Sequence, residues 1–265
     1  MKCKICDNKK NNRKIIIREW MMNTNKKFNY FQCSKCGCIQ ILKIPKNLND
    51  FYPKNYYSMS EEFSNEKGIK KKIKIKIFKS ALKGGFFYKF ISFFTSFTKL
   101  NFFKYIKINK KSKILDVGCG KGSIIYYLND VGYKKTIGID TFLDENKIRY
   151  LNGATIYKKK LEDLNEKFDL IFLSHSFEHM EKPLEVLKKL SKLLNKNGCL
   201  IINIPIADSY AYKKYKEHWF QLDAPRHLFI HTKKSMEILT KKVNLKIQNK
   251  KTKPKPKKIH PNQEL

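Results

Sequence analysis

Short apolar stretches alternate with amphipathic ones across the second half of the chain. Five of them have the length and apolar character of buried strands: 113–117, 136–140, 154–157, 168–173 and 199–204. Three further stretches predict helices: 123–130, 144–151 and 183–194. Pro183 suits the first turn of a helix, and Gly198 suits the exit from one into a left-handed conformation. This alternation predicts an α/β fold with a doubly wound, mostly parallel, Rossmann-like sheet.

The N-terminal part of the chain is organised around cysteines instead. Two C-x2-C pairs stand 26 residues apart: Cys3 with Cys6, and Cys33 with Cys36. Four thiolates at such spacing surround one Zn²⁺ tetrahedrally, and they leave no open position for catalysis. Apolar stretches at 15–17 and 28–31 predict the strands of a small zinc ribbon over residues 1–43, with the zinc structural. Cys38 is a spare thiol, either buried or an alternative ligand.

The composition is strongly basic, with 57 lysines and arginines against 23 acids and a net charge of +34. Only four of the basic residues are arginines, the residue type that best recognises phosphates and bases. We therefore favour a general compositional bias over a dedicated polyanion site, and expect nucleic acid to be an unlikely partner. No apolar run reaches the ~20 residues of a membrane span, and the polar start predicts a cytoplasmic protein.

Residues 44–111 form an aromatic and basic connector between the two regions. Lysine and isoleucine dominate at 69–78, and aromatic residues dominate at 86–97. We favour helices that cover the neighbouring domain, while a basic segment in contact with an anionic membrane surface stays an alternative.

A glycine-rich turn follows the first strand of the α/β region. Gly118, Gly120 and Gly122 stand between that strand and a predicted helix, where the backbone can approach a ligand closely and helix N–H groups are unpaired. Asp140 ends the next strand about 20 residues further on, where a carboxylate can accept both hydroxyls of a ribose. The arrangement predicts a nucleoside-containing ligand.

Several motifs together resemble the class I S-adenosylmethionine-dependent methyltransferases. These are Ile-Leu-Asp-Val-Gly-Cys-Gly-Lys-Gly at 114–122, the acid at Asp140, Phe-Asp-Leu-Ile at 168–171 and Phe-Glu-His at 177–179. The resemblance covers roughly residues 112–247, within a predicted catalytic domain at 112–249. It implies that S-adenosylmethionine is the cofactor. It also implies these cofactor-binding residues: Asp116, Gly118, Cys119, Gly120, Gly122, Asp140, Thr141, Asp163, Ser174 and His175.

The same resemblance carries two further expectations. The segment from Trp219 to Phe229, with the cysteine pairs and the residues 51–57, is similar to a bacterial subgroup associated with surface-polysaccharide and modified-sugar biosynthesis. A class I sheet normally closes with a sixth and an antiparallel seventh strand, whereas residues 250–258 are too rich in lysine and proline to form a central strand. We therefore expect a sheet without its seventh strand and a basic, disordered tail at 250–265.

Candidate catalytic residues follow the fourth predicted strand. His179 suits the role of general base beside Glu178, and His227 is the second choice. Alternatively, Glu178 and His179 only cap and orient the following loop. A divalent-metal site here is disfavoured because acids are few.

The segment after the last predicted strand supplies candidates for substrate binding, namely Trp219, Asp223 and Arg226. Arg226 could equally pair with Asp223 across a turn. The sequence as a whole predicts methyl transfer to a small-molecule or saccharide acceptor. Two alternatives are a nucleic-acid methyltransferase and a degraded, non-catalytic protein that presents a zinc ribbon or a membrane-associated surface.

Overall fold

The structure is a computed structural model that describes residues 1–52, 68–83, 106 and 108–248. The predictions made for residues 86–97 and for the tail at 250–265 lie outside this range. The strands within it are β1 (Arg13–Arg18), β2 (Lys27–Gln32), β3 (Ile39–Ile41), β4 (Ile114–Val117), β5 (Thr136–Ile139), β6 (Lys147–Arg149), β7 (Thr155–Tyr157), β8 (Phe168–Ser174), β9 (Leu194–Asn203) and β10 (Phe229–Ile230). The α-helices within it are α1 (Gly68–Lys83), α2 (Ser123–Asp130), α3 (Pro183–Leu193), α4 (Tyr210–Tyr215) and α5 (Lys233–Lys242).

The chain divides into two compact units, each with its own sheet. One unit joins Met1–Phe51 to the chain from Pro205 onward, and the other is Tyr52–Ile204. The sequence-based boundaries instead group residues 205–249 with the catalytic domain, so the two divisions differ there, and the predicted boundaries stay predictions.

The unit from Tyr52 to Ile204 contains a six-stranded sheet in the order β6-β7-β5-β4-β8-β9. All neighbouring strands are parallel except β6, which pairs antiparallel with β7. All four residues of β4 are buried, as expected for a central strand of a parallel sheet. Because chain order reverses direction across the sheet at β4 and β8, the doubly wound arrangement predicted from the sequence is confirmed.

Helices α2 and α3 form where the sequence predicts them. Pro183 stands in the first turn of α3. The buried leucines of this helix, Leu187, Leu190 and Leu193, recur at helical spacing. The left-handed residue after α3 is Asn197, with φ 66°, so the expectation that Gly198 takes this conformation is wrong.

The prediction of a helix at 144–151 is also wrong, because the chain forms β6 there. Ile148 pairs with Ile156 of β7, and this pairing outweighs the local pattern. Leu151, which would have belonged to the apolar side of such a helix, is fully exposed.

The other unit contains a four-stranded sheet in the order β1-β2-β3-β10, and its strand pairs are antiparallel. The two strands predicted between the cysteine pairs are therefore confirmed as β1 and β2. Strand β10 comes from the C-terminal part of the chain, and Phe229 pairs with Gln40 of β3.

Neither a closing strand nor a membrane span is found in the part of the chain that the structure describes. Among these residues β9 pairs with β8 alone, and no described strand lies at its outer edge. No described helix has the length and apolar character needed to cross a membrane.

Candidate functional site

The glycine turn lies at the carboxyl end of β4, which is flanked by β5 and β8. The N–H of Gly118 donates to the carbonyl of Ile139 at 2.9 Å, which ties the turn to the end of β5. The half-buried Asp140 carboxylate accepts the Gly120 N–H through Oδ2 and the Phe142 N–H through Oδ1, both at 2.9 Å. Asp140 therefore fixes the glycine turn as well as its own loop.

Gly118 also approaches the loop that follows β8. Its φ is 72°, and a Cβ added there would lie 2.4 Å from the Cβ of Ser176. The Ser176 hydroxyl donates to the carbonyl of Val117 at 2.7 Å. The ends of β4 and β8 are thus held together where ligands bind in open α/β sheets.

Asp116 is a buried carboxyl directly before this turn. Burial raises its pKa well above the ordinary range, and the negative charge of Asp140 raises it further. Asp116 therefore favours its protonated form, in which it can donate a hydrogen bond within the turn region.

The other predicted cofactor residues belong to the same unit. Thr141 and Asp163 are exposed, and Asp163 Oδ2 accepts the N–H of Lys160 at 3.1 Å. Ser174 ends β8 half-buried, with its hydroxyl 3.3 Å from the side-chain amide of Asn203. Gly122, at the start of α2, has φ 78°.

The candidate catalytic residues lie in a single turn of 3₁₀ helix over Phe177–His179. Glu178 is fully buried, and one of its carboxylate oxygens lies 3.5 Å from Nδ1 of His175. A Glu178 oxygen and a ring nitrogen of His179 are within 4.8 Å of each other. His175 has a left-handed backbone conformation, with φ 55°, so it stands outside this 3₁₀ turn.

Tyr52 is an aromatic neighbour of His179 that the sequence does not single out. Its hydroxyl lies 3.1 Å from Nδ1 of His179, and its ring stacks on Phe142 at 5.1 Å between centroids. Phe142 follows Asp140 in the loop after β5, and about half of its surface is exposed. Tyr52 thus links the loops after β5 and β8, and only the aromatic character of residues 51–57 could have indicated it.

The predicted substrate residue Arg226 has a different position from the one expected. It is fully buried in the unit that contains the cysteines. Its guanidinium donates to Asp223 Oδ1 from Nε at 2.9 Å, to Glu19 Oε1 from Nη2 at 2.9 Å and to the carbonyl of Phe51 from Nη1 at 3.0 Å. Arg226 therefore has no exposed surface that could contact an acceptor, and the side chain of its partner Asp223 is only 5% exposed. The alternative, a pair between Arg226 and Asp223, is what forms.

Trp219 and His227 belong to the same unit as Arg226. Trp219 is buried but lines a groove with the exposed Phe220 and Trp20. His227 is buried, with Nδ1 2.8 Å from the carbonyl of Gln221 and Nε2 3.7 Å from Asp223 Oδ2.

The four predicted zinc ligands come together in this unit. The Sγ atoms of Cys3, Cys6, Cys33 and Cys36 all lie within 4.8 Å of one another. Two of their separations are 3.6 and 3.5 Å, close to the ~3.8 Å expected between sulfurs of a tetrahedral site with Zn–S bonds of about 2.3 Å.

Hydrogen-bond donors reach two of the four sulfurs. The side-chain amide of Gln40 donates to Cys3 Sγ at 2.8 Å, and the Cys36 N–H donates to Cys33 Sγ at 3.5 Å. The contact between the thiols of Cys3 and Cys36 lowers the pKa of Cys3 to about 4 and raises that of Cys36, so Cys3 is the one of this pair that favours its thiolate. The fifth thiol, Cys38, is buried with its Sγ 4.0 Å from Nδ1 of His231, outside the cluster.

Comparison with known proteins gives one family. The family model described as a methyltransferase domain matches residues 72–250. Curated relatives include the tRNA U34 carboxymethyltransferase of Campylobacter hominis, 32% identical over 122 residues, which are 43% of each chain. The enzyme of the same name from Helicobacter acinonychis is 35% identical over 112 residues, which are 37% of this chain and 43% of the relative. The chain thus spans less than half the length of these relatives.

Solved structures of methyltransferases are similar to parts of the chain. The plantazolicin methyltransferase in complex with SAH has a TM-score of 0.41 at 19% identity, and covers 72% of this chain and 70% of its own. Coclaurine N-methyltransferase, also with SAH, has a TM-score of 0.36 at 21% identity, and covers 47% of this chain and 41% of its own.

Proposed function

Because the chain belongs to the methyltransferase-domain family and has the class I fold, we propose that it transfers a methyl group from S-adenosylmethionine to RNA. The acceptor differs from the small molecule or saccharide expected from the sequence. The relatives named as tRNA U34 carboxymethyltransferases favour the nucleic-acid alternative, and surface-polysaccharide biosynthesis has no support from the comparisons. Those names are the observation that carries the choice of RNA.

The residues around the glycine turn fit the donor. The left-handed Gly118, Gly120 and Gly122 bring backbone close to the sheet end, and α2 begins directly after them. Asp140 would hold the ribose hydroxyls, since a carboxylate oxygen that accepts one N–H keeps a further lone pair. Bound S-adenosylmethionine supplies an electrophilic methyl group on a sulfonium. The protein's contribution is to align an acceptor with that methyl and to exclude water.

His179 is the residue that we assign to the acceptor's proton. For a neutral imidazole to accept a proton at Nε2, Nδ1 must carry the hydrogen and donate it to Tyr52. Tyr52 therefore acts as a positioning residue that orients the ring and selects its tautomer. The buried Glu178 lies beside this ring, with a carboxylate oxygen within 4.8 Å of a ring nitrogen of His179.

Zinc in the cysteine cluster has a structural role in this proposal. Four sulfurs would complete a tetrahedral shell, so the ion would hold β2, β3 and the N-terminus together without taking part in methyl transfer.

A transfer assay tests the choice of acceptor. The protein is incubated with S-adenosylmethionine labelled in the methyl group, and with either unfractionated tRNA or a mixture of nucleotide-sugars. We expect label that precipitates with RNA and is released by ribonuclease. Label found only in the nucleotide-sugars would refute the RNA proposal and restore the saccharide acceptor. His179→Ala serves as the inactive control, expected to be slower by about 10²-fold.

A further inference from the structure

Helix α1 packs one face against α2 within the unit Tyr52–Ile204. Phe78 is fully buried and packs against Tyr127 of α2, with 5.6 Å between ring centroids and the rings tilted by 31°. Lys71 donates to the hydroxyl of Tyr126 at 2.8 Å and lies 3.3 Å from Asp130. Helix α1, at Gly68–Lys83, lies in the stretch where cover helices are predicted, and its apolar side packs inside its own unit.

The opposite face of α1 is lysine-rich. Lys72, Lys76 and Lys79 follow one another at spacings of four and three residues, so they share one side of the helix. All three are exposed, and none has an ion pair with the residues that the structure describes. We call these three side chains the lysine face.

Nothing within the helix offsets this charge. The 16 residues of α1 include no acid, so Lys72 repels Lys76, and Lys76 repels Lys79. A polyanion laid along the helix would relieve that repulsion. The lysine face spans about 10 Å at 1.5 Å per residue, which is enough for several phosphates of a nucleic-acid strand.

The distribution of apolar residues distinguishes a phosphate backbone from a membrane as the partner. A helix that lies in a membrane surface must turn its apolar side to the lipid. In α1 the buried apolar residues, including Ile77 and Phe78, face the protein core, and among its large apolar side chains only Ile69 and Ile73 are mostly exposed. Ile69 and Ile73 lie beside the lysine face, but two isolated side chains do not make the continuous apolar side that a lipid surface requires, so the charge suits a phosphodiester chain better.

We propose that the lysine face is a docking surface for the sugar–phosphate backbone of the RNA acceptor. The identity of the polyanion rests on the proposed function, whereas the location of the surface rests on α1 itself. Contact with phosphates carries no sequence information, so this surface would hold RNA while other residues choose the base.

The test compares two triple variants with the same change in charge. Lys72→Gln, Lys76→Gln and Lys79→Gln together remove the lysine face, and glutamine keeps the propensity for helix. The matched control replaces three exposed lysines of α5, Lys233, Lys234 and Lys241, with glutamine. Binding of a labelled single-stranded RNA is measured by anisotropy over a range of salt concentrations, and S-adenosylhomocysteine titration confirms that each variant is folded.

The logarithm of the RNA association constant falls linearly with the logarithm of the salt concentration, and each phosphate contact contributes ~0.7 to the steepness for a single strand. Loss of three contacts in the lysine-face variant should therefore make this slope shallower by about 2. Extrapolated from 1 M salt, this equals about a hundredfold loss of affinity at 0.1 M. The control should keep the wild-type slope and affinity.

Two outcomes would overturn the docking surface. One is an equal loss of RNA affinity in both variants, which would mean that RNA is attracted by the charge of the whole protein. The other is an unchanged RNA affinity in the lysine-face variant; if this variant also loses binding to vesicles that contain anionic phospholipid, the surface belongs to a membrane contact. If wild-type protein methylates RNA in either of these cases, the proposed function stands. If wild-type protein neither binds nor methylates RNA, the proposed function is refuted, and the assignment of RNA to the lysine face is refuted with it.

Discussion

Replacing Gly118 with alanine tests the geometry of the glycine turn, because two separate costs can be worked out. The residue has φ 72°, and an L-residue in this region costs about 1–2 kcal/mol. The new Cβ would also lie 2.4 Å from Ser176 Cβ, and such overpacking costs about 1–3 kcal/mol. We expect Gly118→Ala to lower the free energy of unfolding by about 2–5 kcal/mol.

Gly153 and Ser176 provide the controls. Gly153 has φ 87° but its added Cβ would meet nothing closer than 3.7 Å, so Gly153→Ala should cost only the conformational ~1–2 kcal/mol. In a Ser176→Gly background the steric clash is gone, and Gly118→Ala should cost that same smaller amount. Urea denaturation of the four variants and the wild type gives these values. Equal costs for Gly118→Ala in both backgrounds would refute the close approach of the β4 and β8 ends.

Four further changes have expected outcomes. Arg226→Met should destabilise the protein by about 3–5 kcal/mol, measured by denaturation, because buried carboxylates lose their partner. Elemental analysis should find about one zinc per chain, lost when Cys3 and Cys33 are both changed to serine. Asp116→Asn should raise the melting temperature at neutral pH. The raised pKa makes the native carboxyl hold a proton that the unfolded chain releases, so the wild type loses stability as pH rises above 3.8, and the variant does not. Tyr52→Phe should lower kcat with little change in KM, because the hydrogen bond that sets the tautomer of His179 is lost. A profile of kcat against pH should also shift on its acid side.

Local patterns predicted the features that depend on neighbours in the chain. The spacing of Cys3 and Cys6, and of Cys33 and Cys36, was enough to predict a cluster of four sulfurs. The central strands could also be predicted, because an apolar run followed by a glycine turn and a helix is a local pattern in the sequence.

The sequence could not predict features that depend on residues far away in the chain. Arg226 is buried because Glu19 and the Phe51 carbonyl, more than 170 residues away in the chain, complete its hydrogen bonds. Strand β6 has only three residues, too few for periodicity to distinguish it from a helix, and its pairing with β7 decides its conformation. Tyr52 meets His179 only through the fold.

The central claim is that the turn after β4, together with Asp140, forms a donor site. Calorimetric titration with S-adenosylhomocysteine tests it most directly, with Asp144→Ala as the control, since that nearby acid is largely exposed. We predict saturable binding by the wild type and by Asp144→Ala. Asp140→Ala should bind more weakly by about 1–3 kcal/mol, because the ribose hydroxyls lose their acceptor and the turn loses its hydrogen bond. Folded wild-type protein that does not bind S-adenosylhomocysteine, or an Asp140→Ala variant that binds as tightly as the wild type, would contradict the account.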